Sequence, residues 1–154
     1  MKEMHRIDEK DRKILSEEVE QAYGVLLRTN GYVLMQTGEN KIRIVTEEAF
    51  AVASSLKGVT NVGLYIVKRR KFFPTLTIEG CMFIEKMPGA HVVELSREQA
   101  VAWMRGDPVR IGPTNSKTIL GVYRGHWLGS ALVDVNGIAY PQVPKWRRIP
   151  ESII

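Results

Sequence analysis

Residues 92–111 read VVELSREQAVAWMRGDPVRI, and residues 118–137 read TILGVYRGHWLGSALVDVNG. The first stretch opens on a short β-rich run, HVVEL, and passes at once into a helix. Ser96 with Gln99 three residues later is a capping box, and REQAVAWMR (97–105) runs from it to Gly106. Short apolar runs follow, PVRI, TILGVYRG, HWLGSALVDV and IAYPQV, separated by Gly-Pro, Arg-Gly and Asn136-Gly137. Asn-Gly between apolar runs is a strong hairpin signal, because both central residues of that turn require positive φ. Four or five short strands in about fifty residues, after one helix, predict a small barrel rather than a flat sheet.

Upstream, the pattern changes. Asp8 to Ala22 is polar with a narrow apolar stripe of Ile14, Leu15, Val19 and Ala22, which predicts a helix capped by Asp8 and ended by Gly24. GYVLMQ (31–36) and KIRIVT (41–46) flank the turn Thr37-Gly38-Glu39-Asn40 and predict a hairpin. Thr46 then caps a helix, EEAFAVASSLK, that stops at Gly58, and NVGLYIV (61–67) reads as a strand. In 75–84 the β-branched TLTI competes with Pro74, which suits the first turn of a helix; the expectation is a helix. Met87-Pro88-Gly89 breaks the chain. The expected fold is therefore α+β in two parts: an N-terminal α/β domain over 1–89 and a small β-barrel over 90–154.

The 154 residues carry 22 Lys/Arg against 17 Asp/Glu, a net charge of +5. Its sign is uneven. Residues 1–50 hold 8 Lys/Arg against 10 Asp/Glu, whereas 51–154 hold 14 against 7. A basic two-thirds points to a polyanionic partner, set against the plainer reading of a solvated basic surface. Clustering favours the partner: Lys68, Arg69, Arg70 and Lys71 run into Phe72 and Phe73, and Lys145, Trp146, Arg147 and Arg148 form a second knot. Cations beside rings serve phosphate contact and base stacking.

An apolar content of 44% argues against disorder, and no apolar run reaches the length of a membrane helix. The charged start, MKEMHRIDEKDRK, does not read as a secretory signal, and the single cysteine, Cys81, leaves no internal disulfide; both favour the cytoplasm. No phosphate loop, dinucleotide fingerprint or nucleophile elbow occurs, and His5, His91 and His126 lack metal-ligand spacing. Cys81, in EGCMFI, reads as core, and Asp107 as a turn residue. No catalysis, metal or cofactor is expected, S-adenosylmethionine included.

The two stretches quoted first resemble a PUA domain, a small pseudo-barrel on many RNA-modifying and ribosome-assembly proteins. The residues that carry the likeness are Arg105-Gly106-Asp107 at the helix end, then Gly121, Tyr123, Gly125, Leu128 and Gly129. The preceding half is similar to the companion domain before PUA modules in two families. One is the PUA-like RNA-binding tail of RNA cytosine methyltransferases of the Nop/Sun type, on Gly63-Leu64-Tyr65, Lys71-Phe72-Phe73-Pro74 and Pro144-Lys145-Trp146-Arg147. The other is the ribosome-biogenesis family of the Nip-seven type, with a similar length and domain order. The likeness covers roughly residues 30–150. The catalytic domain and cysteine pair of the methyltransferases are not in this sequence.

The resemblance thus implies a stand-alone RNA-binding module for tRNA or rRNA, without methyl transfer. The alternative is an accessory subunit that binds a separately encoded RNA-modification enzyme. The resemblance points to the helix, the adjoining strand and the chain end as the RNA face. Its cations are Arg105, Arg110, Lys117, Arg124, Lys145, Arg147 and Arg148, to which charge clustering adds Lys68, Arg69, Arg70 and Lys71. Trp103 and Trp127 read as core; Trp146, between Lys145 and Arg147, has the better case for stacking. Gly121, Gly125 and Gly129 read as sites of curvature or bulging. If RNA spans both halves, the two knots lie on one positive face. Reversal of Arg147 and Arg148 to Glu is then expected to weaken binding and leave folding intact.

Overall fold

In the computed structural model, which describes residues 4–38, 40–59 and 61–150, the chain is a mixed α+β protein with three α-helices and twelve short strands among the described residues. β1 (His5–Arg6) leads into α1 (Glu9–Tyr23). The Asp8 carboxylate accepts from Asp11 N at 2.8 Å, and Leu15, Val19 and Tyr23 form the buried face. Gly24 ends the helix at φ +67, a conformation glycine adopts without Cβ strain. β2 (Val25–Leu27) follows directly. The expected hairpin is β3 (Val33–Thr37) and β4 (Lys41–Val45), with Leu34 opposite Ile44 and Gln36 opposite Ile42. Thr46 caps α2 (Glu47–Ser55) by accepting from Ala49 N at 3.1 Å; the helix ends at Leu56, short of Gly58. β5 (Leu64–Lys68) and β6 (Thr75–Leu76) complete a sheet of order β1-β3-β4-β5-β6.

The helix expected over 75–84 does not form. Thr75 and Leu76 pair with Lys68 and Val67 of β5, and Thr77 N continues the ladder to Ile66 O at 3.0 Å. The Thr77 hydroxyl then accepts from Gly80 N at 2.9 Å and starts a 3-10 turn, Gly80–Phe83. Pro74 opens an edge strand instead of a helix, because the sheet beside it offers the backbone partners that an isolated helix would have to supply. β7 (Ile84–Lys86) turns back to pair with β2 as a separate two-stranded ribbon.

After Met87–Ala90 come β8 (Val92–Glu94), α3 (Arg97–Arg105), β9 (Val109–Arg110), β10 (Thr118–Tyr123), β11 (His126–Val133) and β12 (Ile138–Pro141). Their order is β8-β10-β11-β12-β9, with β8 parallel to β10 and the other pairs antiparallel. The sheet curls into half a barrel, since β8 and β9 remain unpaired edges. Both hydrogen bonds of the Ser96–Gln99 capping box are present. Trp103 is fully buried under α3 and donates from Nε1 to Leu128 O at 2.8 Å. Gly121 makes room for it: a Cβ there would lie 2.8 Å from Trp103 Cη2, and the β10–β11 register shifts at the same place. Trp127, by contrast, is only half-buried, against the other core.

No described strand pairs across Met87–Ala90, yet the two halves share a core. Leu120 joins Leu15, Val19, Tyr23, Ile42, Ile66 and Leu76, while its neighbour Ile119 packs with Trp103, Ala131, Ala139 and Val143. Successive side chains of β10 thus serve opposite cores, as the period of two requires. Buried polar bonds cross the same seam. Leu76 N donates to Ser130 Oγ at 3.0 Å, and the Tyr23 hydroxyl donates to Pro74 O at 2.6 Å. Among the described residues no helix is long and apolar enough to cross a membrane.

Ser130→Ala leaves the buried Leu76 amide without a partner and is expected to cost about 1–3 kcal/mol in urea unfolding. Burial also pushes the Tyr23 phenol and the Cys81 thiol up to about 12, from 10.0 and 9.0. The folded chain keeps both protons where the unfolded chain releases them. Their contribution is complete below pH 9 and is lost as pH rises towards about 12. Each group adds a slope of at most about 1.4 kcal/mol per pH unit. Urea melts from pH 8 upward check this; Tyr23→Phe and Cys81→Ala should each flatten the alkaline slope.

Candidate nucleic-acid interface

Where the halves meet, an open cleft of about 790 Å³ remains. One wall is the C-terminal part of α1, from Glu18 to Ala22. A second is the loop Arg70–Pro74, and the third comprises His91 and residues 115–118. Backbone and side-chain bonds hold all three. Ala22 O accepts from His91 Nδ1 at 2.9 Å and from the Thr118 hydroxyl, and Tyr23 O accepts from His91 N at 2.9 Å. Lys117 O accepts from Val133 N at 2.9 Å, which ties the third wall to β11.

The cations of the cleft come from opposite sides. Arg70 donates from Nε to Thr75 Oγ1 at 2.6 Å and from Nη2 to Gln142 Oε1 at 3.4 Å, so its guanidinium is fixed at the rim. Lys71 lies 5.4 Å over the Phe72 ring, and Phe72 is 82% exposed. Lys117 faces them from the third wall and is exposed. His91 lies with Nδ1 2.9 Å from Ala22 O, and because a carbonyl only accepts, Nδ1 donates in that bond. Gln21, Asn115 and Ser116 add neutral polar groups.

The other basic residues divide by partner. Arg69 is internal, 17% exposed, with Nη2 at 2.9 Å from Asp11 and 3.6 Å from Glu18; it docks the end of β5 on α1. Lys68, its neighbour, is half-buried at the paired end of β5. Arg147 forms an ion pair with Glu79 across the seam, with its guanidinium 5.4 Å from the Trp146 ring. Arg148 donates to Val143 O at 3.1 Å and lies against Gly106, where a Cβ would come within 2.6 Å of its Nε. Lys145 and Trp146 stand free of such bonds, and Trp146 is 77% exposed. Arg105 is half-buried at the end of α3, Arg110 is exposed on the edge strand β9, and Arg124 stacks 5.5 Å over Tyr123 in a tight turn. The seam therefore gathers Arg70, Lys71 and Lys117 in the cleft and, through the Arg147–Glu79 pair, holds the 145–148 segment to the first half. Arg105, Arg110 and Arg124 do not line this cleft.

Phe72 stands beside Lys71 in the sequence, but the RNA face expected from the sequence includes neither Phe72 nor His91. Phe72 carried a local signal, a ring between a cation and a proline. His91 carried none, since its role depends on a helix end 69 residues away. Among the described residues no three His, Cys, Asp or Glu side chains lie together as metal ligands. Cys81 is 2% exposed, and the high pKa of its thiol keeps it protonated. No protein-family model matches the chain, and no curated protein sequence matches it.

The Glu79 pair revises one expectation. Reversal of Arg147 sets two carboxylates face to face at a site where both side chains are about 70% covered, 31% and 26% exposed. Arg147→Glu is expected to lower unfolding stability by about 1–2 kcal/mol. The charge swap Glu79→Arg with Arg147→Glu should recover most of that loss in a double-mutant cycle.

Proposed function

We propose that this chain is an RNA-binding module whose second half is PUA-like, contacting tRNA or rRNA in RNA modification or ribosome biogenesis without catalysis of its own. The observation that carries this reading is a free cation beside exposed rings at one seam: Lys71 lies over Phe72, and the exposed Trp146 stands between Lys145 and Arg147, whose Glu79-paired guanidinium lies over the ring. Lysine and arginine contacts position phosphates, and exposed rings accept unpaired bases. The half-barrel with α3 ending at Gly106 supports the PUA-like assignment, and the break between two sheets supports domains at 1–89 and 90–154. The buried, reduced Cys81 is in keeping with the cytoplasm.

An accessory subunit of a separately encoded modification enzyme is the second reading. What favours it is α2, which leaves Val52 59% and Leu56 57% exposed. Such a subunit would use an apolar face, with affinity little affected by salt.

Filter binding of tRNA and rRNA fragments from 50 to 300 mM salt separates the two. RNA binding is expected to weaken steeply, with log K linear in log salt. Lys71→Glu should reduce that slope by about one to two phosphates' worth, and Trp146→Ala should cost about 1–3 kcal/mol in binding. Failure of both RNAs to bind at 50 mM salt would overturn the proposal.

A further inference from the structure

We infer that the seam cleft is a socket for a single unpaired nucleotide of the bound RNA, its phosphate held between the Arg70–Lys71 wall and Lys117 and its base laid on Phe72. This rests on the RNA-binding reading and adds to it the strandedness and the place of contact. Four observations lead there. The volume of about 790 Å³ lies in the range that takes a small organic ligand and is too small for a duplex.

Positive groups approach from two directions, which favours a charge placed inside the cleft over one passing across a flat surface. Arg70 is fixed in advance by Thr75 and Gln142, so its ordering cost is already met in the free protein. Phe72 is the chemical oddity: a large ring 82% exposed at the mouth of a cationic cleft, on a loop pinned at Pro74 by the Tyr23 hydroxyl.

Acidic character does not cancel this. Glu18 also lines the cleft, but its carboxylate is turned to Arg69 at 3.6 Å. His91 also lines the cleft, its ring oriented by the bond from Nδ1 to Ala22 O. A base inside a duplex is stacked on its neighbours and cannot reach Phe72. A loop, bulge or free end presents the unstacked face that the ring requires. The shared chemistry, phosphate plus base, also belongs to free mononucleotides, and the test therefore carries both.

Fluorescence anisotropy of the full chain is measured on a labelled single-stranded RNA octamer, on a duplex of equal length, and in competition with AMP and UMP. A second octamer carries one 2-aminopurine to report stacking. The octamer is expected to bind at least tenfold tighter than the duplex at equal salt, with a 2-aminopurine signal that disappears in Phe72→Ala. Phe72→Ala should weaken octamer binding by about tenfold and leave the duplex unchanged; Lys117→Glu should weaken the octamer by more than tenfold. Both side chains are exposed, so thermal melts should coincide with the parent. Mononucleotides should compete only at millimolar concentration, lacking the flanking phosphates.

If the octamer binds with a normal salt slope but neither substitution weakens it, the socket is wrong while RNA binding stands. If neither RNA binds the parent chain, the RNA-binding reading itself fails. Displacement of the octamer by AMP or UMP at micromolar concentration would overturn the socket as an RNA site and identify a free-nucleotide site.

Discussion

The end of α1 is finished by the other half of the molecule. A helix leaves its last carbonyls without internal partners, and burying them unpaired is costly. Here Ala22 O and Tyr23 O are satisfied by His91 and Thr118, and Gly24 O accepts from Met87 N at 3.2 Å. Gly24 permits it twice over, through its positive φ and because a Cβ would sit 2.9 Å from Ala90 Cα. These bonds set the height and angle at which the half-barrel meets α1. They thereby place Leu120 in the first core and leave the cleft beside them.

The uneven charge of the sequence takes on a different meaning in that light. Part of it is the protein binding to itself. The acidic helix α1 supplies Asp11 and Glu18 to Arg69, and Glu79 receives Arg147. A cation with a covered carboxylate partner has little field left for a distant polyanion, whereas Lys71, Lys117 and Lys145 keep theirs. Each basic knot thus splits into a member bound within the protein, Arg69 or Arg147, and members that face solvent, such as Lys71 and Lys145. Counting charges along the chain cannot make that division, because the partner of each cation lies 51 or more residues away.

What was legible in the sequence was local. The Asp8, Thr46 and Ser96 caps and the Gly24 and Gly106 stops depend on neighbours within a few residues and stand where the sequence puts them, and Asn136-Gly137 closes the β11–β12 hairpin with positive φ at Gly137 but not at Asn136. The turn even carries its own lock, with Asp134 Oδ1 accepting from Asn136 N at 2.9 Å and Ile138 N at 3.0 Å. Thr75–Leu76 escaped because a two-residue strand has no period of its own, and only the open edge of β5 decides it. β1, β2 and β7 went unread for the same reason: each is two or three residues long and is defined by its partner. The site divides likewise, with Lys71 and Phe72 visible as neighbours and His91 invisible without the helix end it caps.

Fold and site share parts at this seam, and that has a thermodynamic consequence. Thr118 and His91 cap α1 and also line the cleft, while Arg70 joins the β5–β6 loop to Gln142 just after β12. A ligand that touches both the Arg70–Lys71 wall and Lys117 can do so only while the halves are docked, so it binds the docked state alone. Mass action then adds about 2.7 kcal/mol to the docking of the halves when ligand is present at a hundred times its dissociation constant. That equals one or two of the buried polar bonds that hold the seam without ligand. The cleft is therefore not an ornament on a finished fold. Occupying it reinforces the same contact that creates it, and loosening the contact removes the geometry on which recognition depends.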